Sequence, residues 1–154
     1  MAGGRMSASP RMRQSLGTLG LAAALLAAAA PARAATLVVA IEGLRNDQGD
    51  VHVSLFASPA EWPDHSRDEN DRVVPARRGG VAVSFEVPPG RYALAGFHDE
   101  NRNGEFDTNF LGIPREGYCF SNGARPGLKE PAFDAAAITV PEGGTRIVMH
   151  MVYW

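Results

Sequence analysis

From Val81 to Val87 the chain alternates: Val81, Val83, Phe85 and Val87 are large and apolar, and Ala82, Ser84 and Glu86 between them are small or polar. Successive side chains of a strand point to opposite faces, so this pattern gives a half-buried strand with one core face. Pro88-Pro89-Gly90 ends it, because proline removes a backbone donor and glycine admits a tight turn. Similar units recur. Leu37-Val38-Val39-Ala40-Ile41 predicts a first strand over 36–42. Val51, Val53 and Leu55, alternating with His52, Ser54 and Phe56, predict a second over 50–57, after the turn residues Asn46-Asp47-Gln48-Gly49. The 81–87 strand is the third and 91–98 the fourth, and the short turn between them predicts a hairpin. Residues 137–140 and 146–153, split by Pro141-Glu142-Gly143-Gly144, bring the expected total to about six or seven strands. The expectation is an all-β, antiparallel β-sandwich with one long ordered loop after the fourth strand. A closed outer-membrane barrel needs at least eight strands of about 9–11 residues, more than this chain can supply.

The first 34 residues read differently. Arg5, Arg11 and Arg13 precede an apolar run from Leu16 to Ala30, and Ala32-Arg33-Ala34 is a small-x-small cleavage pattern. This is the grammar of a secretory signal peptide, with an apolar run shorter than the ~20 residues of a spanning helix. The expected organisation is a leader over 1–34 and a single domain over 35–154, exported to the periplasm, with no transmembrane segment in the mature chain. The whole chain carries 15 basic and 17 acidic residues, and the leader holds four arginines and no acid, so the mature chain would carry a net charge of −6. That balance disfavours nucleic acid and anionic lipid as partners and is compatible with cations. Cys119 is the lone cysteine, which excludes an intramolecular disulfide, and a buried thiol is expected.

Two connections are long. In 58–79, Ser58-Pro59-Ala60-Glu61 has capping-box spacing with proline at the first helical position, predicting one or two helical turns before a mobile stretch from Asp64 to Arg72. In 99–135, Phe106, Phe110, Tyr118, Phe120 and Phe133 argue for an ordered, packed loop. It opens with Asp99-Glu100-Asn101-Arg102-Asn103-Gly104-Glu105-Phe106-Asp107. Asp99, Asn101, Asn103 and Asp107, with the Glu105 carbonyl, follow the front half of a D-x-[DN]-x-[DN]-G calcium loop. Hard oxygen donors on a tight turn suit Ca2+. The twelfth position is Phe110, so the bidentate acid is missing; Asn109 and Glu116 are the nearest further oxygens. The alternative is metal-free, since Asp and Asn side chains hydrogen-bond their own backbone in turns. His52, His65, His98 and His150 are scattered, which serves zinc poorly.

Pro88-Pro89-Gly90-Arg91-Tyr92-Ala93, Phe97-His98-Asp99-Glu100-Asn101-Arg102-Asn103-Gly104, Gly112-Ile113-Pro114-Arg115-Glu116-Gly117-Tyr118 and Phe120-Ser121-Asn122, in that order, resemble the DUF2141 family of small exported bacterial proteins of unknown function. The resemblance runs over about 37–153 and implies an exported domain without assigning an activity or catalytic residues. The Pro-Pro-Gly-x-Tyr turn is also similar to that of transthyretin-like and carboxypeptidase-regulatory-like sandwiches, so the implied fold is immunoglobulin-like or transthyretin-like. The family pattern more usually has glycine where this chain has Cys119.

No G-x-S-x-G, P-loop or G-x-G-x-x-G motif is present. The expected role is a binding or structural module and not an enzyme, with Tyr118, Phe120 and Asn122 presenting a surface to a sugar or a peptide. Two alternatives stand beside it: a small periplasmic hydrolase using acids such as Asp107 and Glu116, and an interaction subunit that pairs through edge strands.

Overall fold

The computed structural model describes residues 33–63, 71–126 and 129–154. The expected leader therefore lies outside the described residues except for Arg33 and Ala34, as does most of the stretch expected to be mobile. Eight strands occur among the described residues: β1 (Ala35–Glu42), β2 (Asp50–Phe56), β3 (Asp71–Pro75), β4 (Gly80–Val87), β5 (Gly90–Asp99), β6 (Gly117–Phe120), β7 (Ile138–Val140) and β8 (Thr145–His150). They form two sheets. One has the order β4-β1-β8, the other β3-β2-β5-β6, with β7 pairing the start of β5. The all-β sandwich read from the alternation is the architecture found, with one strand more than the upper expectation.

The sheets face each other through the apolar set of the alternating strands. Leu37, Val39 and Ile41 of β1, Val51 and Val53 of β2, Leu94 of β5 and Met149 of β8 are fully buried there. Each such side chain contributes about 1.5–3 kcal/mol when removed from water. Cys119 belongs to the same core, and burial pushes its thiol pKa up to about 12. It sits within β6 opposite Gly96, with no turn at that position. A Cβ on Gly96 would lie 3.1 Å from the Cys119 sulfur, so the small residue across the ladder is what makes room for the thiol.

The expected hairpin is not formed. β4 pairs antiparallel with β1, from Gly80 opposite Glu42 to Val87 opposite Ala35, whereas β5 pairs with β2 in the other sheet. Pro88 and Pro89 have no N–H to continue a ladder, and Gly90 does not take the positive φ that primed hairpin turns use. The Tyr92 hydroxyl donates to the Pro88 carbonyl at 2.8 Å and fixes the corner between sheets. The pairing is also not wholly antiparallel, since β8 runs parallel to β1. The final strand ends at His150 rather than 153. Met151 N–H still donates to Glu42, but Val152 then bridges to Tyr118 of the other sheet, closing that side of the sandwich.

At 58–63 the expected helix is a turn. Glu61 and Trp62 N–H donate to Ser58 and Pro59 carbonyls at 3.2 and 3.4 Å, and Pro63 disfavours helical backbone at Trp62. Asp71 and Arg72, expected in the mobile stretch, open β3.

Nearly all of β5 is buried, on both of its faces. Its inner face meets the smaller sheet, and its outer face lies under the long connections. Phe56, Ala93, Ala95, Phe97, Tyr118, Phe120, Phe133 and Ala136 form a second apolar cluster there, with Trp62 and Phe106 packed against it. The long connection expected to be ordered thus has a core of its own, with a short helix, α1 (Phe133–Ala136), at its end.

Candidate functional site

The Asp/Asn run leaves the end of β5, so Asp99 is anchored by the ladder before the chain turns. Asp99 is 1% exposed. Its Oδ1 accepts the Asn103 N–H at 3.2 Å and its Oδ2 the Gly104 N–H at 2.8 Å. His52 Nε2, on the neighbouring strand, lies 3.4 Å from the same Oδ2, with its ring stacked on Phe97 at 4.6 Å. Asn101 Oδ1 accepts the Asn103 N–H, and Asn103 Oδ1 the Glu105 N–H, both at 2.9 Å. These are the side-chain turns that short amide and carboxylate groups make with backbone two residues on. Gly104, at φ +77°, supplies the left-handed backbone.

The side-chain amides of Asn101 and Asn103 converge on the Asp107 carboxylate. Asn101 Nδ2 donates at 2.7 Å, and Asn103 Nδ2 reaches both Asp107 oxygens at 3.2 Å. Asp99, Asn101, Asn103 and Asp107 are therefore gathered in one hydrogen-bonded turn. Glu105 is exposed and enters through its backbone. Asn109 stands apart, holding the next turn by accepting the Leu111 and Ile113 N–H groups at 2.9 and 3.0 Å.

Glu116, just before β6, closes the run from beneath. It is 4% exposed, and its two oxygens accept the N–H groups of Glu100 and Asp107 at 3.2 and 3.1 Å. Burial raises its pKa, and the nearby Asp99 and Asp107 carboxylates raise it further against those two hydrogen bonds. Glu100 turns outward to Arg45, with Arg45 Nε at 2.9 Å and Asn46 Nδ2 at 2.6 Å on one oxygen and the Arg45 Nη2 ion pair on the other. These contacts hold its carboxyl below the usual range. Beneath, the fully buried His98 is held by Nδ1 to the Tyr153 hydroxyl at 2.7 Å and by Nε2 to the Gln48 carbonyl at 2.6 Å. The carbonyl can only accept, so Nε2 carries the proton. Among the described residues no three His, Cys, Asp or Glu side chains gather as a metal-binding group.

On the far side of this run lies a cleft of about 300 Å3, lined by Phe97, Phe106, Tyr118, Phe120 and Trp154 among others, with Thr108, Lys129 and Glu130 also in its wall. Phe106, carried by the Asp/Asn run, sits 5.7 Å from the Phe97 ring and 6.0 Å from the Tyr118 ring. The run is thus one wall of the cleft. Tyr118 and Phe120 belong to that lining, whereas Asn122 does not: its amide donates to the Ala135 carbonyl at 2.9 Å. Ser121 is fully buried, with its hydroxyl donating to the Ala136 carbonyl at 2.5 Å and accepting the Leu94 N–H at 2.8 Å. Phe97, Thr108, Lys129, Glu130 and Trp154 were not named as site residues from sequence.

Residues 39–148 match the family model of DUF2141, described as an uncharacterized protein conserved in bacteria, and the chain belongs to this family. No curated protein and no solved structure matches it.

Proposed function

We propose that this DUF2141 member is an exported, non-catalytic binding module whose ligand seat is the aromatic cleft over the larger sheet. The cleft itself carries this reading. Ligand seats are concave, mostly apolar and start at about 300 Å3, and this one combines aromatic rings with a few polar groups. The groups a hydrolase would need have other work. Both Glu116 oxygens accept backbone N–H groups and both Asp107 oxygens accept the Asn101 and Asn103 amides, and Ser121 has no base beside it among its hydrogen-bond partners. The test is a titration with a neutral fluorescent apolar probe, N-phenyl-1-naphthylamine. Saturable binding to the folded protein, weakened about ten-fold by Phe106→Ala, is expected. Binding indifferent to Phe106 would place the seat elsewhere. Export is tested by sequencing the N-terminus of the secreted form, expected at Ala35.

Calcium at the Asp/Asn run is the second reading. The gathering of the Asp99, Asn101, Asn103 and Asp107 side chains in one turn favours it, because hard oxygens on a tight turn suit Ca2+. Asp99, Asp107, the Asn101 and Asn103 amide oxygens and the Glu105 carbonyl are the residues that would hold it. The ion would order the wall that carries Phe106. It would also have to displace the amides now on Asp107. Thermal melts in EDTA and in calcium decide it. A ~0.1 mM site in about 5 mM calcium adds roughly 2.3 kcal/mol, several degrees for a domain this size. That gain should vanish in Asp107→Ala. An equal melt in both buffers leaves the run as turn chemistry.

A further inference from the structure

We propose that the ligand of this cleft is a sugar ring, an inference that rests on the binding-module reading. The rings on the floor of the cleft pack against one another's edges. Phe106 meets Tyr118 at 77° and Tyr118 meets Phe120 at 57°, each pair 6.0 Å apart.

The rim is of another kind. Trp154 is 75% exposed, yet its indole N–H donates to the Tyr118 hydroxyl at 3.1 Å. The hydrogen bond sets where the indole edge lies, and most of the ring's surface is in water. Such a ring offers contact area at little entropy cost, and its electron-rich face attracts the C–H bonds of a pyranose. The Tyr118 hydroxyl, which accepts from Trp154, keeps its own proton to donate. Thr108, Lys129 and Glu130 add a hydroxyl, an ammonium and a carboxylate to the same wall. A sugar presents one apolar face and a belt of hydroxyls that both donate and accept, which matches a ring platform bordered by mixed donors and acceptors. An anionic ligand gains less, because Lys129 is balanced by Glu130. A peptide strand would need a free ladder edge. At Tyr118 that edge is taken by Val152, with N–H···O distances of 3.0 and 2.8 Å.

The experiment is an NMR titration of the full-length protein, following the Trp154 indole N–H. The probes are malto-, cello- and chito-oligosaccharides in separate arms, with neutral N-phenyl-1-naphthylamine as the apolar arm. At least one oligosaccharide should shift the Trp154 signal saturably. Trp154→Ala should weaken that binding about ten-fold, read from the backbone amides of β6, and Thr108→Val several-fold. These two exposed sites keep the test independent of folding. If only the apolar probe shifts the signal, the sugar assignment falls and the binding module stands. If no probe does, both fall.

Discussion

The carboxylate of Glu116 accepts the backbone N–H of Asp107 at 3.1 Å, while its second oxygen accepts that of Glu100 at 3.2 Å. One buried side chain thus joins both ends of the Asp/Asn run and fixes the wall that carries Phe106. Removing it leaves two donors unsatisfied at about 1–3 kcal/mol each. Glu116→Ala is therefore expected to lower unfolding free energy by roughly 2–6 kcal/mol in urea denaturation. Asp134→Ala, which breaks an exposed pair with Arg91, should change it by about 0.5 kcal/mol or less. Equal effects at the two sites would contradict this account of Glu116.

Gly49 offers a sharper test of the same junction. Its φ is +72°, and an added Cβ would lie 1.8 Å from the Asp99 carbonyl oxygen, against rigid backbone. Gly112 has φ +77° but open space around it. Gly112→Ala should lose about 1 kcal/mol through backbone strain alone, and Gly49→Ala clearly more. Thermal melts of the two variants give the comparison, and a milder effect at Gly49 would refute it.

The two glutamates at this junction have opposite pH signatures. The hydrogen bond to Arg45 holds Glu100 below its unfolded value, so its contribution is whole above that value and is lost as the pH falls through the folded pKa. The deficit of Glu100→Gln should therefore be largest near neutrality and shrink on acidification. It should stay near or under about 1 kcal/mol, because Arg45 is about half exposed and the pair is screened by water. Glu116 is raised, chiefly by burial. The fold favours its protonated form, so the Glu116→Gln comparison should move in the wild type's favour as the pH falls. Urea denaturation at several pH values reads both slopes, and slopes of the same sign would be wrong for one of them.

Phe110 and Leu111 are 94% and 68% exposed on a turn pinned by Asn109. Their burial adds nothing to the fold, so Phe110→Ser should leave the melting temperature within about a degree or two. A large loss would mean that this turn packs against something in solution.

The strands with clean alternation were legible from the residues, because one face of each must be buried. β3 was missed: Val73 and Val74 are a doublet among charges, and Val73 remains half exposed. β6 is four residues long, too short to show a period. The partner of β4 was misread because adjacency in the chain says that a turn exists, not which sheet it leads to. Pro88 and Pro89, lacking N–H groups, end the strand without saying which sheet the chain enters next. At the site, the Asp/Asn spacing announced a turn with convergent oxygens. That Asn101 and Asn103 would spend their amides on Asp107, and that Glu116 would reach back nine residues, depend on tertiary closure that spacing does not encode.

The most direct measurement is native-state hydrogen exchange at the Gly104 and Asp107 amides in EDTA. The Asp99 and Glu116 carboxylates should protect them without metal, and protection at Asp107 should collapse in Glu116→Ala while that at Gly104 falls less. Exchange at the unprotected rate in the wild-type protein would contradict the account, because the wall of the cleft would then not be built by these residues.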